Sequence, residues 1–253
     1  MTADSYLQGI LDREAVDTGI FSPVRTVQIQ LDPIIRAWAN GQLLSITPSG
    51  SFAKGTANKS GTDIDLFISL SSNTSETLKE VYEKLFKWMN GKGYAAKRQN
   101  VSINVHVNGY DVDLVPAKRQ DLFSEDHSLY RRRADTWTKT NISTHINHVS
   151  WSGRKSEIRV VKLWRDQKGL DFPSFYLELS IIAALSGQYG GQLSDNVLKS
   201  LRYLRDNFST ARVLDPANTN NVISDDLSIA DKARIKSAAE QASNATNWGQ
   251  IVV

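Results

Sequence analysis

Apolar and polar positions alternate or recur along the first half of the chain with periods that identify its elements. Ile64-Asp65-Leu66-Phe67-Ile68-Ser69-Leu70 reads as a strand, placed after a loop rich in Gly, Ser, Thr and Asn. Leu78, Val81, Tyr82, Leu85, Phe86 and Met89 recur at helical spacing, with Thr74/Ser75 as the opening signal and Asn90-Gly91 as the stop. Val101, Ile103, Val105 and Val107 then alternate with Ser102, Asn104 and His106. Asn108-Gly109 is a two-residue hairpin signal, and the return strand runs from Tyr110 to Val115 until Pro116 ends it. Upstream, Val24 to Trp38 reads as a helix that Pro33 is expected to kink or divide. From about residue 150 the signals are helical: 157–167, with Ile158, Val161 and Trp164 on one stripe, then 173–186, 196–207 and, after a Pro/Asn-rich loop, 228–243. The expected class is therefore α+β, with a mixed-sheet core over residues 1–125 and a helical domain over 126–253. The N-terminal helix is left free to bridge the two halves.

Composition narrows the class. The 253 residues are 40% hydrophobic and 23% charged, which excludes wholesale disorder, and this length can bury a core without covalent staples. There is no cysteine, so disulfides, thiol nucleophiles and cysteine-held metals are excluded. The start is acidic and amphipathic, and no apolar run approaches a membrane span. The expectation is a cytoplasmic chain without signal peptide or membrane contact. Thirty Lys+Arg against 27 Asp+Glu leave a net charge of +3, compatible with anionic nucleotide partners without requiring them.

The chemistry concentrates in Ser49-Gly50-Ser51-Phe52-Ala53-Lys54-Gly55-Thr56 and the strand beyond it. On a strand, residues two apart share a face, so Asp63 and Asp65 project together while Ile64, Leu66 and Ile68 face the core. Side-by-side carboxylates repel unless a cation joins them, and hard divalent ions favour such oxygen ligands together with substrate phosphates. A two-residue turn at Asn108-Gly109 sets Val107 opposite Tyr110, His106 opposite Asp111, Val105 opposite Val112 and Asn104 opposite Asp113. One face of that hairpin is polar throughout, a pattern that a solvated sheet face also produces. Beside Asp63 and Asp65, Asp113 completes a three-carboxylate set suited to two metals and in-line displacement at phosphorus. Gly50-Ser51 offers backbone N–H groups and a hydroxyl to a triphosphate. This is not a Walker A loop, because Thr56 stands where the lysine belongs.

Gly50-Ser51, then Asp63-x-Asp65 twelve positions after the serine, then Asp113 three before Pro116, resemble the signature of the DNA polymerase β-like nucleotidyltransferase superfamily. The likeness is to the branch with bacterial cyclic-oligonucleotide synthases, cyclic GMP-AMP synthase, oligoadenylate synthetases and archaeal-type CCA-adding enzymes. It extends over roughly residues 45–225. Val160-Val161-Lys162-Leu163-Trp164-Arg165-Asp166 looks like the helix whose lysine holds triphosphate. Pro173-Ser174-Phe175-Tyr176-Leu177-Glu178 looks like the segment whose serine and aromatic contact phosphate and base. Asp215-Pro216 through Asn221-Val222 resembles the late Asp-Pro…Asn-Val loop.

The resemblance implies a palm-like catalytic core followed by a helical nucleotide-binding domain. Asp63, Asp65 and Asp113 would be catalytic and metal-binding; Gly50, Ser51, Lys162, Ser174 and Phe175 would bind substrate. The implied cofactor is Mg2+, with Mn2+ as substitute, and the implied substrates are nucleoside triphosphates. The product would be a linear or cyclic oligonucleotide signal read by an effector protein in bacterial antiphage defence, with pyrophosphate released. The alternative acceptor is an RNA 3′ end or a protein hydroxyl. The chain departs from the pattern at Phe175, which stands where the family usually has tyrosine, and at Asp111, an extra carboxylate beside the expected one. Its length also leaves little room for the zinc insertion or RNA-binding domains of some relatives.

Plainer explanations compete at several positions. Asp-x-Asp alone is more often a solvated strand face, and only the ordered set makes it catalytic. Asp111 is expected outside the inner ligand shell. Arg131-Arg132-Arg133 suits nucleic acid but reads better as solvated charge. His145-x-x-His148 has metal-ligand spacing without a third ligand. A nucleotide-binding regulator without catalysis is disfavoured, because it has no use for a repulsive carboxylate cluster.

Overall fold

A computed structural model describes residues 2–61, 63–188 and 190–253. In chain order the first elements are α1 (Ala3–Arg13), α2 (Pro23–Ala39), β1 (Leu43–Pro48), α3 (Gly50–Lys54), β2 (Ile64–Leu70), α4 (Leu78–Gly91), β3 (Lys97–Arg98), β4 (Ile103–Val107) and β5 (Tyr110–Arg119). There follow β6 (His127–Arg131), β7 (Thr136–Thr140), α5 (Ile142–Ser150), α6 (Lys155–Gln167), α7 (Ser174–Ala184), α8 (Leu193–Asp206), β8 (Leu214–Asp215), β9 (Asn218–Val222) and α9 (Ile229–Ser243). The class is α+β. No helix among the described residues is long and apolar enough to cross a membrane.

The chain forms two compact units that interleave in sequence: Asp17–Lys54 with Asp63–Ile146, and Met1–Val16 with Gly55–Thr62 and Asn147–Val253. This division differs from a single cut at 125/126. Strands β6 and β7 extend the sheet from the end of β5, through Lys118↔Ser128 and Arg119↔His127, and so carry the first unit past 125. Helix α1 groups with the helices, and α2, which contains the N-terminal helix expected over 24–38, groups with the sheet.

The first unit is a mixed sheet of order β1-β2-β5-β4-β3, with β6 on β5 and β7 on β6. Strand β2 is internal, antiparallel to β1 and parallel to β5. Its burial on both faces is why its sequence is almost continuously apolar. The hairpin expected at Asn108-Gly109 forms with the expected pairs, from Val107↔Tyr110 to Asn104↔Asp113. Both turn residues take positive φ, 52° and 86°, as a tight right-twisting hairpin turn needs. Helix α4 packs on β4, β5 and β6. Its N-cap is Thr77 rather than Thr74/Ser75, through a reciprocal capping box with Glu80. Helix α2 runs unbroken through Pro33. Pro33 and Ile29, whose carbonyl loses its helical partner, are both exposed, so water can take that bond.

In the second unit α7 is buried along Tyr176–Ile181, and α1, α6, α8 and α9 complete one apolar cluster with it. The stretch read as a loop over 214–222 forms a small hairpin instead. Buried Asp215 accepts from Ala217 N at 2.8 Å and Asn221 Nδ2 at 3.2 Å, and these polar side chains replace an apolar pattern as its organiser.

Candidate active site

Two of the three expected carboxylates meet through strand pairing. Asp65 on β2 is level with Asp113 on the parallel neighbour β5. Such strands lie about 4.8 Å apart, so same-row side chains are adjacent. Asp63 stands exposed immediately before β2 and shares Asp65's face by alternation, while Ile64 and Leu66 are fully buried on the other.

The Gly50 turn is locked onto this strand. Ser49 N donates to the Asp65 carbonyl at 2.8 Å. Gly50 has φ +56°, and a Cβ there would lie 1.7 Å from Asp65 Oδ2. Any larger residue therefore meets both left-handed strain and a carboxylate oxygen. Ser51 follows on α3, half-buried.

Asp113 is half-buried and well supported. Its Oδ1 accepts from Asn104 Nδ2 at 2.9 Å and Gln99 Nε2 at 3.1 Å, and its Oδ2 lies 3.3 Å from the donating Ser102 hydroxyl. Burial pushes its pKa above the ordinary carboxylate value, and Asp111 adds to the rise, against the lowering bonds from Asn104 and Ser102. Asp111 itself is exposed, 3.4 Å from His106 Nδ1. Gln99 escapes sequence reading, since it precedes β4 and belongs to no periodic pattern.

The donor chemistry fits a hard divalent cation. Asp65 and Asp113 are paired oxygen donors, one of them partly desolvated, and a cation between them would remove the cost of ionising both. Among the described residues, no three His, Asp or Glu side chains converge on one point as they stand. The structure thus brings Asp65 and Asp113 into register, with Asp63 immediately before β2.

The remaining expected residues lie in the helical unit. Lys162 on α6 is buried, donates from Nζ to the Thr56 carbonyl at 3.2 Å, and stands 4.0 Å from Glu178 Oε1. Glu178 on α7 is fully buried and accepts the Thr56 hydroxyl at 2.7 Å. Ser174 opens α7, its Oγ accepting from Arg165 Nη1 at 2.9 Å. Phe175 is half-buried against the helical core. Thr56, Arg165 and Glu178 were not expected to matter. Only Glu178 carries a signal in sequence, as one acid inside an otherwise apolar helix. Arg132 ties down a loop of the sheet unit, Nε donating to the Gln99 carbonyl at 3.0 Å.

Comparison with known proteins bears on this arrangement. Residues 34–136, which hold Gly50, Ser51 and all three carboxylates, match the family described as nucleotidyltransferase domain. The chain is 24% identical over 180 residues to a cyclic AMP-AMP-AMP synthase of Escherichia coli strain MS 115-1. That match covers 64% of this chain and 56% of the relative, little more than half its length. In fold, the chain is similar to E. coli MS115-1 CdnC with ATP (TM-score 0.79, 20% identity, 99% of this chain and 97% of that one). It is similar also to the CD-NTase CdnG of Bradyrhizobium diazoefficiens in complex with GTP (0.75, 12%, 94% and 89%). The Cid1 poly(U) polymerase, as its H336N mutant bound to MgATP, shares the fold as well (0.69, 14%, 95% and 93%).

Proposed function

We propose that the chain, whose residues 34–136 match the nucleotidyltransferase domain family, joins nucleoside triphosphates into a short linear or cyclic oligonucleotide and releases pyrophosphate. The observation that carries this reading is the pairing of Asp65 with Asp113 beside a turn that only glycine can make. Asp63, Asp65 and Asp113 would hold Mg2+, or Mn2+ in its place. When bound, such an ion offsets phosphate charge and makes an attacking hydroxyl more acidic.

The chain's own residues then position the reactants. Gly50 and Ser51 present backbone N–H groups and a hydroxyl to the triphosphate. Asn104, Ser102 and Gln99 keep the Asp113 carboxylate in one orientation. The hydroxyl oxygen forms its bond to the α-phosphorus as the bond to pyrophosphate breaks, a transfer that depends on alignment and charge more than on covalent chemistry. Lys162, Ser174 and Phe175 are proposed to contact the triphosphate and base. For Lys162 this requires exchanging its Thr56 carbonyl for phosphate oxygen. The likeness to a cyclic AMP-AMP-AMP synthase supports a small cyclic product. Antiphage defence in the cytoplasm as its setting, and an effector protein as its reader, are proposed on the family resemblance alone.

The test incubates purified protein with labelled NTPs or dNTPs and Mg2+ or Mn2+, with and without RNA. Small products formed without RNA support the reading, and resistance to phosphatase marks them as cyclic. Extension of added RNA instead favours a terminal transferase, the reading that the shared fold with Cid1 poly(U) polymerase supports. No incorporation under any condition overturns both.

A further inference from the structure

Asp113 accepts side-chain bonds from Gln99, Ser102 and Asn104, and the first two of these donors lie in the turn between β3 and β4. Strand pairing holds that turn weakly. Strand β3 is two exposed residues long, joined to β4 through Lys97↔Asn104 and Arg98↔Ile103, which is short for a strand. The turn is fastened from other elements of the same unit. Tyr82 on α4, fully buried, shares its hydroxyl hydrogen between the Gln99 carbonyl at 2.7 Å and the Ser102 carbonyl at 3.2 Å. Burial pushes its pKa above the ordinary tyrosine value, so the hydroxyl stays a donor. From the turn between β6 and β7, Arg132 Nε donates to the Gln99 carbonyl at 3.0 Å and Arg132 N to the Asn100 carbonyl at 2.8 Å. The two carbonyls that Tyr82 holds are thus those of the two turn residues whose side chains hold Asp113. The Tyr82 ring packs edge-on against Tyr130, with centroids 5.4 Å apart, a contact that does not need the hydroxyl.

We infer that Tyr82 is a positioning residue for Asp113: its hydroxyl fixes the backbone of Gln99 and Ser102, and their side chains in turn fix the carboxylate. Arg132 is the second anchor of the same turn. Tyr82 itself touches neither substrate nor metal. The role rests on the reading above in which Asp113 holds a divalent ion. It makes α4, a helix without a candidate ligand, a determinant of metal affinity. Outer-shell partners of metal ligands commonly govern affinity by about 10- to 100-fold. Tyr82 acts one step further out, so its factor should be smaller.

The test measures binding of Mn2+ alone, by electron paramagnetic resonance or calorimetry, on wild type, Tyr82→Phe, Gln99→Ala and the double variant. Tyr82→Phe keeps the ring and removes the hydroxyl. Trp88→Phe, which removes a bond from α4 to the Ile34 carbonyl, is the control for general loosening of that helix. The expected result is Mn2+ binding weakened about tenfold by Gln99→Ala and about threefold by Tyr82→Phe, with Trp88→Phe unchanged and circular dichroism spectra alike. Because Tyr82 acts through Gln99, its substitution should cost less in the double variant than alone. In the synthesis assay the loss should be relieved by raising metal and should leave the nucleotide KM at saturating metal near wild type. A folded Tyr82→Phe that binds Mn2+ as tightly as wild type, or whose effect is undiminished in the double variant, overturns the inference. If Tyr82→Phe does not fold, Arg132→Ala, which cuts an exposed anchor of the same turn, decides by the same comparison. Wild type that binds no Mn2+ at all defeats the metal-dependent reading instead, which keeps the two failures distinct.

Discussion

At Asp113 the chain concentrates several influences on one carboxylate, while Asp111, two residues away, is left exposed beside His106. The register makes their roles unequal, because only Asp113 is level with Asp65. On the proposed role, Asp113→Asn should lower turnover by about a hundredfold or more, the scale expected if it is a metal ligand that also serves proton transfer, whereas Asp111→Asn should stay within a few-fold. Pyrophosphate release at saturating metal reads both. His127 offers a second test at this scale. Its ring is buried, Nδ1 donates to the Glu125 carbonyl at 2.9 Å, and Nε2 accordingly accepts the Ser69 hydroxyl at 2.7 Å. Burial holds the imidazole below its ordinary pKa. The unfolded ring, titrating near 6.5, therefore binds a proton more readily than the folded one. The stability contribution is complete above about 6.5 and falls as the pH drops towards the folded value. Urea midpoints at pH 7 and 5.5 should separate more for wild type than for His127→Gln.

The turn between β1 and β2 shows how an element fixes a site that no single side chain defines. Ser49 N holds the turn to the Asp65 carbonyl, and Gly50 leaves space that the Asp65 carboxylate fills. A methyl group there forces turn and carboxylate apart by an ångström or more. Displacement of that size at a reacting centre can cost about a hundredfold in rate, so Gly50→Ala should lose about that much. The surrounding sheet should remain folded, because the substitution falls on a turn and not on the apolar pairs of β2 with β5. A synthesis assay alongside thermal unfolding separates the effects: near wild-type turnover in a folded variant would show that the turn does not set Asp65. The β4–β5 turn works in the opposite way, since its geometry follows from Asn108-Gly109 alone.

For the whole molecule, ligand binding should register as stability. A ligand at about a hundred times its Kd adds about 2.7 kcal/mol to the folded state. For a chain of this size that corresponds to a rise in Tm of about 5–10 °C. A non-hydrolysable ATP analogue with Mg2+ should produce such a rise, and EDTA should remove most of it, because the carboxylates repel the triphosphate once the cation is gone. A shift of equal size in EDTA would mean that the nucleotide is held without the acidic residues.

How much of this was legible follows from the range of each interaction. Strand β2, helix α6 and the β4–β5 hairpin are local: their periodicity and one two-residue turn determine them, so Asp113 could be placed opposite Asn104 from sequence. Strands β6 and β7 were not, because polar residues such as Ser128, Arg131, Thr136 and Lys139 interrupt their apolar pattern. The family motif supplied Asp65 and Asp113 as partners, but periodicity carries no record of which strands become neighbours. Their adjacency depends on a parallel pairing between segments joined through α4 and the β3–β4 region. The same holds for Lys162, whose helix was clear and whose burial against Thr56 and Glu178 was not. Residues 55–61 show the limit most plainly: as sequence they are a polar loop between two halves of a motif, and long-range bonds with Arg159, Glu14, Lys162 and Glu178 give that loop a place. Local chemistry chose the elements and the candidate ligands; the pairing of distant segments, where burial rewards contacts that chain proximity does not, decided which of them meet.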